Sequence, residues 1–300
     1  ITDEIKRRIR LVGEESGADI VLVEVGGTVG DIESQPFLEA IRQMRRDVGV
    51  ENTCYVHLTL LPYIKATQEL KTKPTQHSVR ELRGMGIHPD VLVCRADYHI
   101  TPDLLDKIAL FGDVDREGVI PLETAKSIYE VPLALEAYGL GDYLVRRLHL
   151  EPRPPDLTDW REMVYRLRHP QRTLRIALVG KYIGLHDAYL SVQEALVHAA
   201  AFHEVRIEID WVNSESLEGS DPDSVLSRVH GIVVPGGFGQ RGIEGMIVAA
   251  RYARQHKVPY LGLCLGLQVM VIDLAREALD DPTCNSAEFA PDATHRVIDL

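Results

Sequence analysis

An α/β protein built from two doubly wound parallel-sheet domains is the fold this sequence predicts, and three observations carry the prediction. Apolar runs of strand length alternate with segments of helical spacing along most of the 300 residues. A stiff joint, Glu151-Pro-Arg-Pro-Pro-Asp156, divides that alternation in two, because closely spaced prolines prevent helix. Glycine-rich turns directly follow apolar runs in both halves, at the place where open parallel sheets bind ligands.

The elements follow in order. A charged helical pattern opens the chain. Residues 18–25 form an apolar run broken by Asp19 and Glu24, which predicts a buried parallel strand. Gly26-Gly27-Thr28-Val29-Gly30 makes a flexible turn, and Phe37, Leu38, Ile41, Met44 and Val48 set helical spacing over 36–48. Strands are predicted at 53–60 and 90–95, with a helix at 74–82 whose Pro74 falls in the first turn, where its missing amide does no harm. Thr101-Pro102-Asp103 starts a helix ending at Phe111, and helical patterns continue to about Leu150. After a short helix at 158–168, strands are predicted at 174–179, 205–212, 231–234 and 258–263, and helices at 187–203, 242–256 and 265–278. Residues 297–300 read as one more strand.

Composition sets the class. The chain is 45% hydrophobic and 26% charged, as expected of a globular protein of about two domains. A net charge of −12 argues against a general grip on nucleic acid, which needs a basic surface, but leaves room for small anions held by a local basic cluster. Four cysteines, Cys54, Cys94, Cys264 and Cys284, form no CxxC pair, so neither a disulfide framework nor a zinc motif is indicated. No apolar run reaches 18 residues and no signal peptide opens the chain, so no membrane partner is expected and a cytoplasmic location is. A start at Ile1 without methionine, and an end on an apolar run, read as a piece of something longer.

The sharpest chemical feature is Gly262-Leu-Cys264-Leu-Gly266-Leu-Gln268. A cysteine between small residues, on a turn from strand into helix, is held out from the backbone where helix amides favour its thiolate. A lone cysteine there would more often be packing. The turn Pro235-Gly236-Gly237-Phe238-Gly239, after the preceding strand, changes the balance because it reaches the same sheet edge and offers amides to an oxyanion. Together the two turns resemble the class I glutamine amidotransferases. The resemblance implies Cys264 as nucleophile, an oxyanion hole from the amides of Leu265 and Gly237, and glutamine contacts at Gly266, Leu267 and Gln268. His295, the one histidine after Cys264, stands outside the histidine-x-glutamate pattern of that family, so its plain role is a surface residue.

Two strings lie in the first half. Val23-Glu24-Val25-Gly26-Gly27-Thr28-Val29-Gly30-Asp31-Ile32-Glu33 places three carboxylates around a glycine turn, which suits either a metal–phosphate site or the capping of the next helix. Lys71-Thr72-Lys73-Pro74-Thr75-Gln76-His77-Ser78 gathers two lysines and three hydroxyls ahead of a helix, as a phosphate pocket would or as a solvated basic loop. Gly180-Lys181-Tyr182 fails the Walker pattern, and Gly84-Met-Gly86 fails the dinucleotide pattern because Pro89 replaces its third glycine.

These strings and the Cys264 turn resemble the CTP synthase family over nearly the whole chain. The resemblance implies an ATP-dependent, P-loop-type amidoligase joined to a class I glutaminase, both incomplete here. By it, residues 1–150 are the amidoligase, 151–172 a linker and 173–300 the glutamine amidotransferase. Glu24 matches a Mg2+ ligand. Asp31, Ile32 and Glu33, Lys71, Thr72, Lys73, Pro74, Thr75 and Gln76, and Lys107 match contacts to UTP or inhibitory CTP. Glu123, Thr124 and Ala125 stand where the family contacts ATP, Glu288 where it binds the amino group of glutamine, and Gln240-Arg241-Gly242 where GTP activates. The family further implies a homotetramer. The 300 residues alone are expected to lack ligase and complete glutaminase turnover. Another ligase–glutaminase fusion of the cobyric acid synthase kind, or a non-catalytic nucleotide-binding or assembly module, are the competing readings.

Overall fold

Helix α1 (Thr2–Ser16) ends where Gly17 takes a left-handed φ of 62°, and it packs on α2 (Gln35–Val48), with Lys6 and Arg10 both reaching Asp47 at 3.0 and 2.9 Å. This computed structural model describes residues 1–299, and the chain falls into two units, Ile1–Leu157 and a second that begins at Thr158. After α2 come β1 (Val56–Leu60), a hairpin of β2 (Tyr63–Ile64) and β3 (Glu69–Leu70), α3 (Lys73–Gly84), β4 (Val91–Ala96), α4 (Pro102–Gly112), β5 (Val119–Glu123), α5 (Val131–Ala137) and α6 (Leu140–Arg147).

The first sheet is parallel, in the order β1-β4-β5, with Val93 facing Leu58 on one side and Ile120 on the other. Period-two alternation divides β4 between two layers. Leu92, Cys94 and Ala96 pack with Val79, Leu105 and Ile108 of α3 and α4, while Val91 and Val93 pack with Leu135, Leu140, Tyr143 and Leu144 of α5 and α6. Asp90, just before β4, ties this unit together. Its carboxylate accepts from Arg45 of α2, from Arg147 of α6 at 2.9 and 3.1 Å, and from the Tyr55 amide at 2.7 Å. Thr59 and His57 of β1 face α3, where His57 Nε2 lies 2.9 Å from Ser78 Oγ and Thr75 bonds Thr59 at 3.1 Å.

Two expectations for this half need correction. Residues 18–25 are not a strand. A parallel strand exists only as part of a ladder, and among the described residues no strand lies beside this segment, which leaves Leu22 93% exposed while Val25 packs against the Leu38–Leu82–Ile87 cluster. Within the stretch expected to be helical to about Leu150, residues 119–123 form β5 instead. β-Branched Val119 and Ile120 suit a strand, and Pro121 is tolerated because β5 pairs on one side only.

The second unit runs α7 (Thr158–Arg168), β6 (Arg172–Gly180), α8 (Leu190–Phe202), β7 (Val205–Asn213), α9 (Asp223–Leu226), β8 (Gly231–Val234), α10 (Ile243–His256), β9 (Tyr260–Gly262), α11 (Leu265–Ala278), β10 (Asn285–Ser286) and β11 (Arg296–Ile298). Its main sheet is parallel, ordered β7-β6-β8-β9, so the winding reverses beside β6, the place at whose carboxyl edge doubly wound sheets bind ligands. Ala177, Val179, Ile232 and Val234 form the buried sheet face against Met246 and Ile247 of α10 and Leu265, Val269 and Ile272 of α11. The last expected strand, 297–300, appears as β11 but pairs with β10 outside the main sheet, and Leu300 lies outside the described residues. Asp273 of α11, 1% exposed, takes the Nε atoms of Arg251 and Arg254 at 3.0 and 2.9 Å and locks α11 onto α10.

Two outcomes follow from these contacts. Asp273→Ala should cost about 2 kcal/mol, below the usual range for a broken buried pair because both arginines keep part of their hydration. Urea unfolding followed by circular dichroism measures it, and an unchanged midpoint would deny that the pair orients α11. Burial holds the His57 imidazole below its ordinary pKa. The unfolded chain therefore takes up that proton first, and stability is full above about pH 6.5 and falls as pH drops below it. His57→Gln should flatten the fall in Tm between pH 7 and 5, and an identical slope in both proteins would remove His57 as its source.

Candidate active-site turns and anion contacts

Cys264 sits between β9 and α11 with φ 53° and ψ −107°, a conformation that side chains rarely adopt. Two glycines make this corner possible. A Cβ at Gly262 would lie 2.4 Å from the Gly266 carbonyl carbon, and one at Gly266 would lie 1.9 Å from the Val234 oxygen. Backbone therefore meets backbone where strand turns into helix, and the cysteine is pushed outward. Among the described residues it is the one exposed thiol; Cys94 and Cys284 are buried and Cys54 half-buried. Burial pushes the Cys54 and Cys94 thiols up to about 11, so both stay protonated near neutral pH.

The glycine turn after β8 lies against this corner. A Cβ added at Gly236 would lie 3.5 Å from Cys264 Cβ, and one added at Gly237 would lie 3.4 Å from Leu265 Cδ2 and 3.5 Å from Lys181 Cδ. Leu265 opens α11, where amides have no intrahelical partner, and among the described residues neither the Leu265 nor the Gly237 amide donates a hydrogen bond. Gly266 is buried and Leu267 exposed. Gln268, on the same first turn, donates its amide to the Cys264 carbonyl at 3.2 Å. Glu288 follows β10, its amide bonded to Ser286 Oγ at 3.2 Å, and Gln240 Nε2 ties the glycine turn to the Phe289 carbonyl at 2.9 Å.

Lys181 is the residue that sequence reasoning passed over. It is 5% exposed, and its ammonium donates to the carbonyls of Phe238, at 3.2 Å, and Gly239. Burial, with Arg241 nearby, holds its pKa below that of a free lysine, while Glu288 acts in the opposite direction. The Tyr189 hydroxyl accepts the amides of Lys181 and Tyr182 at 3.0 and 3.2 Å, and Arg241 reaches the Lys181 carbonyl at 3.2 Å. A lysine directly after the apolar run Ile176-Ala-Leu-Val-Gly180 was the available signal, since such a position is buried and its charge needs acceptors. His295 bonds Asp281 at 2.8 Å, and among the described residues no histidine hydrogen-bonds Cys264.

In the first unit, the β2–β3 hairpin returns the chain to the end of β1, where the Lys71 amide bonds the Pro62 carbonyl at 2.9 Å. Lys71 pairs with Glu69, whose carboxyl is held below the usual range chiefly by Lys71, then by Thr67 and Lys107. Lys73 and Pro74 form the first turn of α3, and Lys73 Nζ lies 6.0 Å from the Phe111 ring, one turn beyond Lys107 on α4. A cleft of about 300 Å3 is lined by Lys73, Gln76, His77, Arg80, Arg83 and Phe111. The fold thus gathers Lys71, Lys73, Gln76 and Lys107. Thr72 and Thr75 are buried; the Thr75 hydroxyl donates to Thr59, and the Thr72 hydroxyl accepts from Gln76 Nε2 at 3.1 Å. Asp31 closes its own turn by accepting the Thr28 amide at 2.7 Å, while Ile32 and Glu33 of the following 3-10 helix are exposed. Glu24 is exposed in the irregular segment. At the end of β5, Glu123 pairs with His99 at 2.8 Å, Thr124 Oγ1 bonds Asp97 at 2.7 Å, and Ala125 follows.

Removing the strain at the cysteine corner is measurable. Cys264→Gly should stabilise the chain by about 1 kcal/mol, because relief of the unfavourable φ exceeds the entropy glycine adds to the unfolded state. Calorimetry reads this as a higher Tm; a lower one would mean that the turn stores no strain.

Comparison with known proteins places both halves. A family model for the CTP synthase N-terminus matches residues 1–150, and one for class-I glutamine amidotransferase matches residues 185–297. The chain is 59% identical over 300 residues to the CTP synthase of Dehalococcoides mccartyi strain CBDB1, covering 55% of it, and 60% identical to that of Thermomicrobium roseum, covering 54%. It thus spans about half the length of the curated relatives it matches. A solved glutaminase domain of Trypanosoma brucei CTPS with bound acivicin is 43% identical over 42% of this chain and 50% of that one, with a TM-score of 0.41. With its first 150 residues matched by that N-terminal family and its whole length by curated synthases, the chain belongs to the CTP synthase family.

Proposed function

We propose that this chain is part of a glutamine-hydrolysing CTP synthase, a carbon–nitrogen ligase of pyrimidine nucleotide synthesis. The Cys264 thiolate attacks the carboxamide carbon of glutamine, and the amides of Leu265 and Gly237 take the oxyanion. The nitrogen takes a proton from water and leaves as ammonia as its bond to carbon breaks, and water then hydrolyses the thioester, releasing glutamate and restoring the free Cys264 sulfur. Gly266, Leu267 and Gln268 line the glutamine side chain, and Glu288 takes its ammonium. In the other half, ATP phosphorylates the 4-oxygen of UTP, then ammonia adds at that carbon and phosphate departs. The observation that carries the reading is the corner itself: a strained, exposed cysteine beside a glycine turn, where a Cβ added at Gly236 would lie 3.5 Å from Cys264 Cβ.

Lys71, Lys73, Gln76 and Lys107 are the cations and donors for the pyrimidine triphosphate, UTP or inhibitory CTP. Asp31, Ile32 and Glu33 approach it from the glycine turn, and Thr72, Pro74 and Thr75 shape the start of α3. ATP lies near Glu123, Thr124 and Ala125. Mg2+ keeps most of its waters and takes one or two carboxylates beside substrate phosphates, and Glu24, exposed ahead of the glycine turn, offers one such carboxylate. Glu24 would hold that ion, whose charge would neutralise the phosphates. GTP as activator near Gln240-Arg241-Gly242, a homotetramer with nucleotides bound between subunits, and a cytoplasmic location complete the proposal. Among the described residues no helix is long and apolar enough to cross a membrane.

The chloroketone analogue of glutamine tests the central step. It should alkylate Cys264 stoichiometrically, as read by peptide mass spectrometry, with glutamine protecting and Cys264→Ser abolishing the label. Labelling that glutamine does not slow, or that falls equally on Cys54, would refute the assignment.

A further inference from the structure

Cys284 is fully buried and takes no part in the glutamine chemistry, yet it is not surrounded by hydrocarbon alone. A carboxylate oxygen of Asp281, the Cys284 Sγ and a ring nitrogen of His295 all lie within 4.8 Å of one another, and among the described residues this is the one such trio. Residues 281 and 284 are joined by a turn in which the Cys284 amide bonds the Asp281 carbonyl at 3.3 Å. His295 arrives from eleven residues on, because β10 and β11 pair Asn285 with Arg296 and the Asn285 amide bonds the His295 carbonyl at 3.1 Å. Arg276 of α11 holds the Cys284 carbonyl at 3.0 Å, so the turn is anchored to a long helix.

We propose that Asp281, Cys284 and His295 form a three-ligand site for Zn2+, separate from the glutamine and nucleotide contacts. Thiolate, imidazole and carboxylate together select a borderline-soft divalent ion, and three protein ligands plus water make a common tetrahedral zinc arrangement. Ligand atoms around tetrahedral zinc lie roughly 3.5 Å apart, so the trio closes by small side-chain rotations. One thiolate and one carboxylate balance the two charges of the ion. The His295 side chain is 52% exposed, which gives the ion an entrance and leaves a position for water. Without metal, Asp281 holds His295 Nδ1 at 2.8 Å, and burial with the nearby Asp281 charge pushes the Cys284 thiol up. On binding, the zinc–sulfur bond replaces the sulfur–hydrogen bond and the proton goes to solvent. The ion would pin both ends of the segment that carries Glu288. The site itself does not depend on the glutaminase reading.

The test uses the purified chain in a Cys264→Ser background, which removes the exposed thiol as a competing ligand. After chelator treatment, Co2+ alone is titrated and the thiolate-to-cobalt charge-transfer absorption recorded, then Zn2+ alone is added to displace it. One equivalent should produce the band, Zn2+ should abolish it and raise Tm, and Cys284→Ala should eliminate it. His295→Ala and Asp281→Asn should each weaken binding by at least about tenfold. His295 is on the surface, so His295→Ala decides the matter if Cys284→Ala does not fold. No band with Cys284 intact, or binding unchanged in His295→Ala, overturns the site and leaves an Asp281–His295 ion pair over a packed thiol.

Discussion

The rest of the second unit is arranged around one contact without side chains: the first turn of α11 pressed against the last carbonyl of β8. A Cβ at Gly266 would sit 1.9 Å from the Val234 oxygen, so no other residue permits the approach. Because the helix begins so close, the chain must turn within a single residue, and Cys264 absorbs the turn with its positive φ. Exposure of the thiol, an unpartnered Leu265 amide beside it, and proximity to the Gly236–Gly237 turn all follow from that approach. The buried Asp273 clasp keeps α11 at the required depth.

Around the corner, polar groups are used sparingly and in fixed roles. Lys181 would be costly to bury at the end of an apolar strand without acceptors, and the carbonyls of Phe238 and Gly239 supply them. A charge inside the sheet edge thereby holds the glycine turn in shape, and Tyr189 holds the lysine's own backbone. In the first unit the balance differs. Glu69 offsets the lysines that gather near the start of α3, which keeps like charges together in an acidic protein without a bound anion.

Much of this was legible from residues alone, for reasons that can be named. The strands at 90–95 and 231–234 read correctly because burial on both faces of a parallel sheet demands continuous apolar runs. The Cys264 turn was readable because only glycine survives such backbone contact. Residues 18–25 misled because apolar composition states a wish for burial, whereas a strand requires a neighbour to bond with. Residues 119–123 were hidden among helical patterns, because a proline beside two β-branched residues signals an edge strand only once the edge is known.

By itself the sequence determined the fold class, the place of Cys264 between strand and helix, and the family. Each of these depends on local rules: side-chain period and the missing Cβ of glycine. Only the tertiary structure decided that Lys181 clamps the glycine turn, that Thr72 and Thr75 face inward, and that His295 meets Asp281 and Cys284. Those facts arise from strand order and register, which bring distant residues within bonding distance, and no spacing along the chain encodes such distances.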